Sequence, residues 1–183
     1  MNRTRAIILT AAAAGGVFLA AACDAPARLL GARLQVLPAL VVYGALSVER
    51  GGWAWAAVVG AACRDSLSAN PVGVSLIPLL LIGWILAEHR EIVLRESLFA
   101  RWILGSLAGA VYPLLSVAIL LTLGEEPLLG WRFLWGMGIW TLSGGVLSLL
   151  AFPVFDWLTD RFAYQPVTPP SFRPDREITR GRY

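Results

Sequence analysis

The chain has 183 residues, 57% of them hydrophobic, and a formal net charge of +3. An ordinary soluble domain carries roughly 45–50% apolar residues, so a soluble fold could not hide this much apolar surface. All 15 basic residues are arginine and they sit at segment ends rather than along one face, which is how a membrane protein anchors itself and excludes nucleic acid as a partner.

Charge-free runs set the elements, because a helix needs about 20 residues to cross a hydrocarbon core about 30 Å thick. Residues 6–22 form the first predicted helix. Arg3 and Arg5, followed by an apolar run ending in Ala20-Ala21-Ala22-Cys23, imitate a signal peptide. Leu19 stands four residues before the cysteine instead of the usual three, so the segment is expected to stay as a helix. Cys23 and Cys63 are read as unpaired, since Cys63 lies within an apolar segment. A loop with Pro26, Arg28, Gly31 and Arg33 leads to helix two, 34–48, with Pro38 in its first turns, where a missing donor matters least.

Glu49-Arg50-Gly51-Gly52 reads as a turn, and Trp53 and Trp55 as interface markers opening helix three, 53–67. Ser68-Ala69-Asn70-Pro71 reads as a tight reversal into helix four, 72–87. The charged stretch from Glu88 to Arg101 has Leu94, Leu98 and Trp102 at helical spacing and a possible Glu91–Arg95 pair, and is placed along the membrane surface. Helix five, 102–123, and helix six, 133–158, flank a loop at Gly124-Glu125-Glu126-Pro127. From Tyr164 the chain is rich in proline and arginine, and 164–183 is expected to be a disordered tail beyond a membrane domain over 1–163.

The expected fold class is therefore an all-α membrane protein, a bundle of six transmembrane helices. Eleven arginines (Arg3, Arg5, Arg50, Arg90, Arg95, Arg101, Arg161 and four in the tail) fall on one side, against Arg28, Arg33 and Arg132 on the other. That asymmetry predicts both termini in the cytoplasm. The tail either associates with anionic lipid, each arginine contributing on the order of 1 kcal/mol, or is a solvated stop signal.

Catalytic chemistry needs a nucleophile, base or metal cluster, and the single histidine, His89, lies in a charged juxtamembrane segment. The sequence shows neither a zinc-type spacing, nor a phosphate-binding glycine loop, nor a nucleophile elbow, so no enzyme and no cofactor is expected. Arg64-Asp65 is the unusual intramembrane feature. Twelve residues beyond Trp53, Asp65 lies roughly 18 Å along its helix, past the bilayer midpoint, where a charge costs less than about 2.5–3.5 kcal/mol. Adjacent residues point about 100° apart, so Arg64 and Asp65 serve different surroundings. Asp65 either contacts a partner, with Ser66 and Ser68, or caps the reversal by accepting backbone donors around Asn70-Pro71.

Gly105 and Gly109 form a Gly-x-x-x-Gly pair, and helix six adds Gly136, Gly138, Gly144 and Gly145. These allow close backbone approach in lipid, between helices five and six or toward a partner helix. Pro153, one turn before Asp156, is expected to kink the end of helix six.

From Arg33 to Glu96 the order of features resembles the rod shape-determining protein MreD family. Pro38 opens helix two, Tyr43 lies within it, and Gly60 precedes Arg64-Asp65-Ser66-Leu67-Ser68-Ala69-Asn70-Pro71-Val72-Gly73. The family pattern there is a small-residue helix ending in an acidic residue, a leucine-serine turn and a leucine-glycine start to the next helix, with Asp65, Ser68 and Gly73 in register. Ser148-Leu149-Leu150-Ala151-Phe152-Pro153 resembles the family's closing helix. Ala69 stands where the family usually has glycine, Arg64 is an added charge, and the tail is longer. The resemblance implies a non-enzymatic scaffold in the bacterial inner membrane that binds the single-span protein MreC, and through it the MreB filament, the RodA glycosyltransferase and a class B penicillin-binding transpeptidase. The family is itself similar to the substrate-binding subunits of energy-coupling-factor vitamin transporters, which supplies the alternative function.

Overall fold

A computed structural model describes residues 2–48, 50–68, 71, 73–90, 97–125 and 130–162. All regular structure among them is helical: α1 (Asn2–Ala22), α2 (Ala25–Leu30), α3 (Val36–Ser47), α4 (Arg50–Ser66), α5 (Leu76–Glu88), α6 (Leu98–Thr122) and α7 (Trp131–Phe162). Three helices are long and apolar enough to cross a membrane: Thr4–Ala22 within α1, then α6 and α7. Phe18, Leu19, Leu107, Leu142, Leu150 and Trp157 are exposed along them, an apolar outer surface suited to lipid rather than water. At 32 residues α7 is about 48 Å long, more than the hydrocarbon core requires.

The shorter α3 sits at the centre, with every residue from Leu37 to Leu46 buried. A helix that is hydrophobic all round belongs in an interior, and α3 touches α1, α4, α5, α6 and α7. Its Tyr43 stacks on Phe155 with centroids 4.9 Å apart and meets the Phe152 ring edge-on at 5.2 Å. The Tyr43 hydroxyl donates to Asp156 Oδ1 at 3.3 Å, tying α3 to α7.

Small residues decide how closely the other helices approach. Along α1, Leu9, Ala13 and Val17 recur every fourth residue and are buried. A Cβ added at Gly52 of α4 would lie 3.0 Å from the Ala6 Cβ, and one at Gly60 would lie 3.3 Å from the Ala13 Cβ. The α1–α4 seam is therefore a parallel run of small residues. Between α6 and α7 the approach is closer still. A Cβ on Gly105 would strike Ser148 and the Gly144 carbonyl, one on Gly109 the Trp140 carbonyl, and one on Gly145 Ser106 and Trp102.

Several expected boundaries are corrected. Gly51 and Gly52 lie in the first turns of α4, not in a turn, since the missing side chain at Gly52 serves the contact with α1. Trp53 is buried rather than interfacial, because Gly83 of α5 leaves room for its ring, while Trp55 is exposed. The 25–30 segment is helical, opened by Pro26 in its first turn and closed by Gly31 at φ +73°. The fourth expected helix begins at Leu76, not 72, because Gly73 at φ +104° breaks the helical path. The last two expected helices extend to 98–122 and 131–162. Asn70, the Glu91–Arg95 pair and the 164–183 tail lie outside the described residues.

The earlier start of α6 comes from Ser97, whose hydroxyl accepts the Ala100 N–H at 3.3 Å. Ser97→Ala is expected to cost about 1 kcal/mol, read as a fall of roughly 2–4 °C in thermal unfolding in detergent. An unchanged midpoint would show that the cap contributes nothing.

Candidate functional site

Polar side chains gather where α4 reverses into α5. Asp65 is buried at 3% exposure, and its Oδ2 accepts the Gly73 N–H at 2.7 Å and the Ser75 N–H at 3.4 Å. Two backbone donors with no helical partner are thus satisfied by one oxygen. Ser68 donates to the Asp65 carbonyl at 3.3 Å, Ser66 donates to the Ala62 carbonyl at 2.7 Å, and Pro71 is exposed on the loop. Ser75 Oγ in turn accepts the Tyr112 hydroxyl proton at 2.9 Å, coupling the reversal to α6.

Arg64 turns the other way, as the 100° step between neighbours requires. Its guanidinium lies 5.1 Å from the centroid of the Tyr112 ring, a cation–π distance. Tyr112 is therefore held at its hydroxyl by Ser75 and on its face by Arg64.

Beside this cluster opens a cavity of about 410 Å³, formed by the end of α1, the 31–37 segment, the end of α4 and the first turns of α7. Arg33, Arg64 and Arg132 all line it, with Gln35 and Trp140. A second cavity of about 160 Å³ shares Gln35, Arg64 and Trp140 and reaches Tyr112 and Ser75. Two indoles of α7 fix the wall: Trp135 Nε1 donates to the Leu30 carbonyl and Trp140 Nε1 to the Arg33 carbonyl, each at 3.0 Å. Arg33 also pairs with Asp24 at 3.6 Å, with both side chains exposed, so the pair adds little stability. Among the described residues neither Arg64 nor Arg132 has an ion-pair partner.

No family model, curated protein or solved structure matches this chain. The site is consequently defined by its own geometry.

Of the residues singled out from the sequence, Asp65, Ser68 and Gly73 meet in one hydrogen-bonded unit. Gly105, Gly109, Gly144 and Gly145 form a separate seam between α6 and α7. Pro153 is exposed on α7, and without an N–H it cannot donate to the Leu149 carbonyl one turn back. His89 is exposed at the end of α5, with Nδ1 3.0 Å from the Ile85 carbonyl. Among the described residues no three of His, Cys, Asp and Glu come together as metal ligands, and Cys23 and Cys63 are free thiols.

Sequence reasoning missed Gln35, Tyr112, Ser75 and Trp140, and used Arg33 and Arg132 only to count charge. The available signal was polar residues with large hydrogen-bonding capacity inside apolar segments, where a buried polar group needs a partner.

Proposed function

We propose that this chain is a non-enzymatic scaffold of the bacterial rod-shape assembly, binding a single-span MreC-like protein and acting through it with MreB, RodA and a class B penicillin-binding transpeptidase. In this reading it crosses the inner membrane six times, with α3, α4 and α5 as the shorter crossings beside α1, α6 and α7, and keeps both termini in the cytoplasm. One observation carries the reading. The residues that resemble the MreD family are joined physically, because the Asp65 carboxylate holds the N–H of Gly73 and the Gly73 backbone takes a positive φ. The acid and the glycine at this spacing are two halves of one turn.

The test is affinity purification of the tagged protein from its own host in mild detergent, with mass spectrometry of what comes with it. Co-purification of an MreC-like protein with wall synthases is the expected result. The cavity of about 410 Å³ favours a second reading, a substrate-binding subunit of a vitamin-type transporter, since small-molecule sites span roughly 300–1,000 Å³. Recovery of paired ATPases with a coupling subunit would establish that reading in place of the first, and recovery of neither set would overturn both.

A further inference from the structure

The cleft between α1, α4 and α7 draws cationic side chains from three distant parts of the sequence to one cavity: Arg33 before α3, Arg64 near the end of α4 and Arg132 at the start of α7. Three guanidiniums against the single Asp24 carboxylate paired with Arg33 leave a formal charge of +2 around one space. Asp65, the acid next to Arg64, is not among the residues that line the cavity, and its Oδ2 faces the Gly73 and Ser75 N–H groups of the reversal. Like charges gathered around a cavity attract an anion into it, and the guanidinium fork matches phosphate oxygens in geometry.

Gln35 points to the same conclusion independently. It lines both cavities, is 7% exposed, and its Oε1 has no hydrogen-bond partner. That oxygen is itself shut off from solvent, so the amide stands at the wall shared by the two cavities with hydrogen-bonding capacity that no described neighbour uses. The remaining wall, with Val17, Ala20, Ala21 and Leu37, is apolar and suits a hydrocarbon portion.

We propose that this cleft binds a phosphate-bearing ligand, its phosphate held by Arg64, Arg132 and Arg33 with Gln35 beside them, and any apolar portion lying along the end of α1. A phosphate monoester, as a dianion, balances the cleft's charge, and a phospholipid headgroup offers the same group with one charge. The site belongs to the finished fold and stands whichever assembly the chain joins.

The full-length protein in uncharged detergent is titrated separately with inorganic phosphate, dodecyl phosphate and phosphatidylglycerol. Tryptophan fluorescence reports occupancy, because Trp140 lines the cleft, and native mass spectrometry reports the number bound. Saturable binding of one probe molecule per chain is expected, weakened roughly tenfold or more by Arg64→Gln and by Arg132→Gln and retained in Arg161→Gln, which removes a charge from the far end of α7. Binding of phosphatidylglycerol without inorganic phosphate identifies a lipid headgroup as the source, and binding of both inorganic and dodecyl phosphate identifies a free monoester. Arg132 is exposed on the first turn of α7, so its variant reports on the site without disturbing the core. Failure of all three probes to saturate, or equal weakening in Arg161→Gln, would overturn the proposal.

Discussion

Replacing Gly144 by leucine drives α6 and α7 apart and lowers the unfolding midpoint in detergent by roughly 6–12 °C, the equivalent of about 3 kcal/mol. The reason is that the obstruction is backbone. A Cβ at Gly144 would sit 2.5 Å from the Gly105 carbonyl oxygen and 3.2 Å from the Gly109 Cα, and neither can rotate aside as a side chain would. In lipid there is no hydrophobic drive between helices, so close packing of small residues carries the association, and the damage cannot be recovered by burial elsewhere. Gly138, on the same helix, is the control. A Cβ there meets nothing, and Gly138→Ala is expected to be neutral or to stabilise by up to about 1 kcal/mol, the difference in helix propensity. Equal midpoints for Gly144→Leu and Gly138→Ala would mean that α6 and α7 are held by something other than this seam.

Asp65→Ala is expected to leave the protein inserted yet loosen the α4–α5 reversal, at a cost of about 2–4 kcal/mol or a midpoint lower by roughly 4–16 °C. The side chain is buried and takes two backbone N–H groups, from Gly73 and Ser75. Removing it strands both donors, and an unpaired buried N–H costs about 1–3 kcal/mol. Asp65→Asn keeps a carbonyl oxygen for Gly73 and should recover most of the loss. Gly73→Ala attacks the same turn from the other side, since φ +104° strains any residue with a Cβ, at about 1–3 kcal/mol. If the two positions form one unit, the double variant loses less than the sum of the single ones. Strict additivity would show that Asp65 and Gly73 act separately.

The α6–α7 seam was legible from sequence because glycines four apart return to the same helix face, and this holds before any coordinate is known. The small-residue seam of α4 was not. Gly51-Gly52 after an acidic-basic pair reads as a turn by local chemistry, and only the approach of Ala6 from α1 explains why Gly52 is helical. Trp53 was misplaced for the same reason, since the space that receives its ring is created by Gly83 on another helix. The role of Asp65 was half visible: a carboxylate before a serine-proline reversal announces a cap, but which donors it takes, the N–H groups of Gly73 and Ser75, depends on the path of the chain after Pro71. The arginine-lined cleft was invisible because Arg33, Arg64 and Arg132 are separated by long apolar segments: charge counting assigns Arg33 and Arg132 to loops, and Arg64 reads as an isolated charge within a helix.

The indole bonds of α7 span most of the chain, joining Trp135 to Leu30 and Trp140 to Arg33 across 105 and 107 residues. During synthesis the 30–35 segment therefore emerges long before the tryptophans that will hold it. Neither the wall of the cleft nor its third arginine exists until α7 is inserted. A nascent chain that has not yet added α7 can enter the membrane, but it lacks the wall made by the two indoles and has no complete pocket to present.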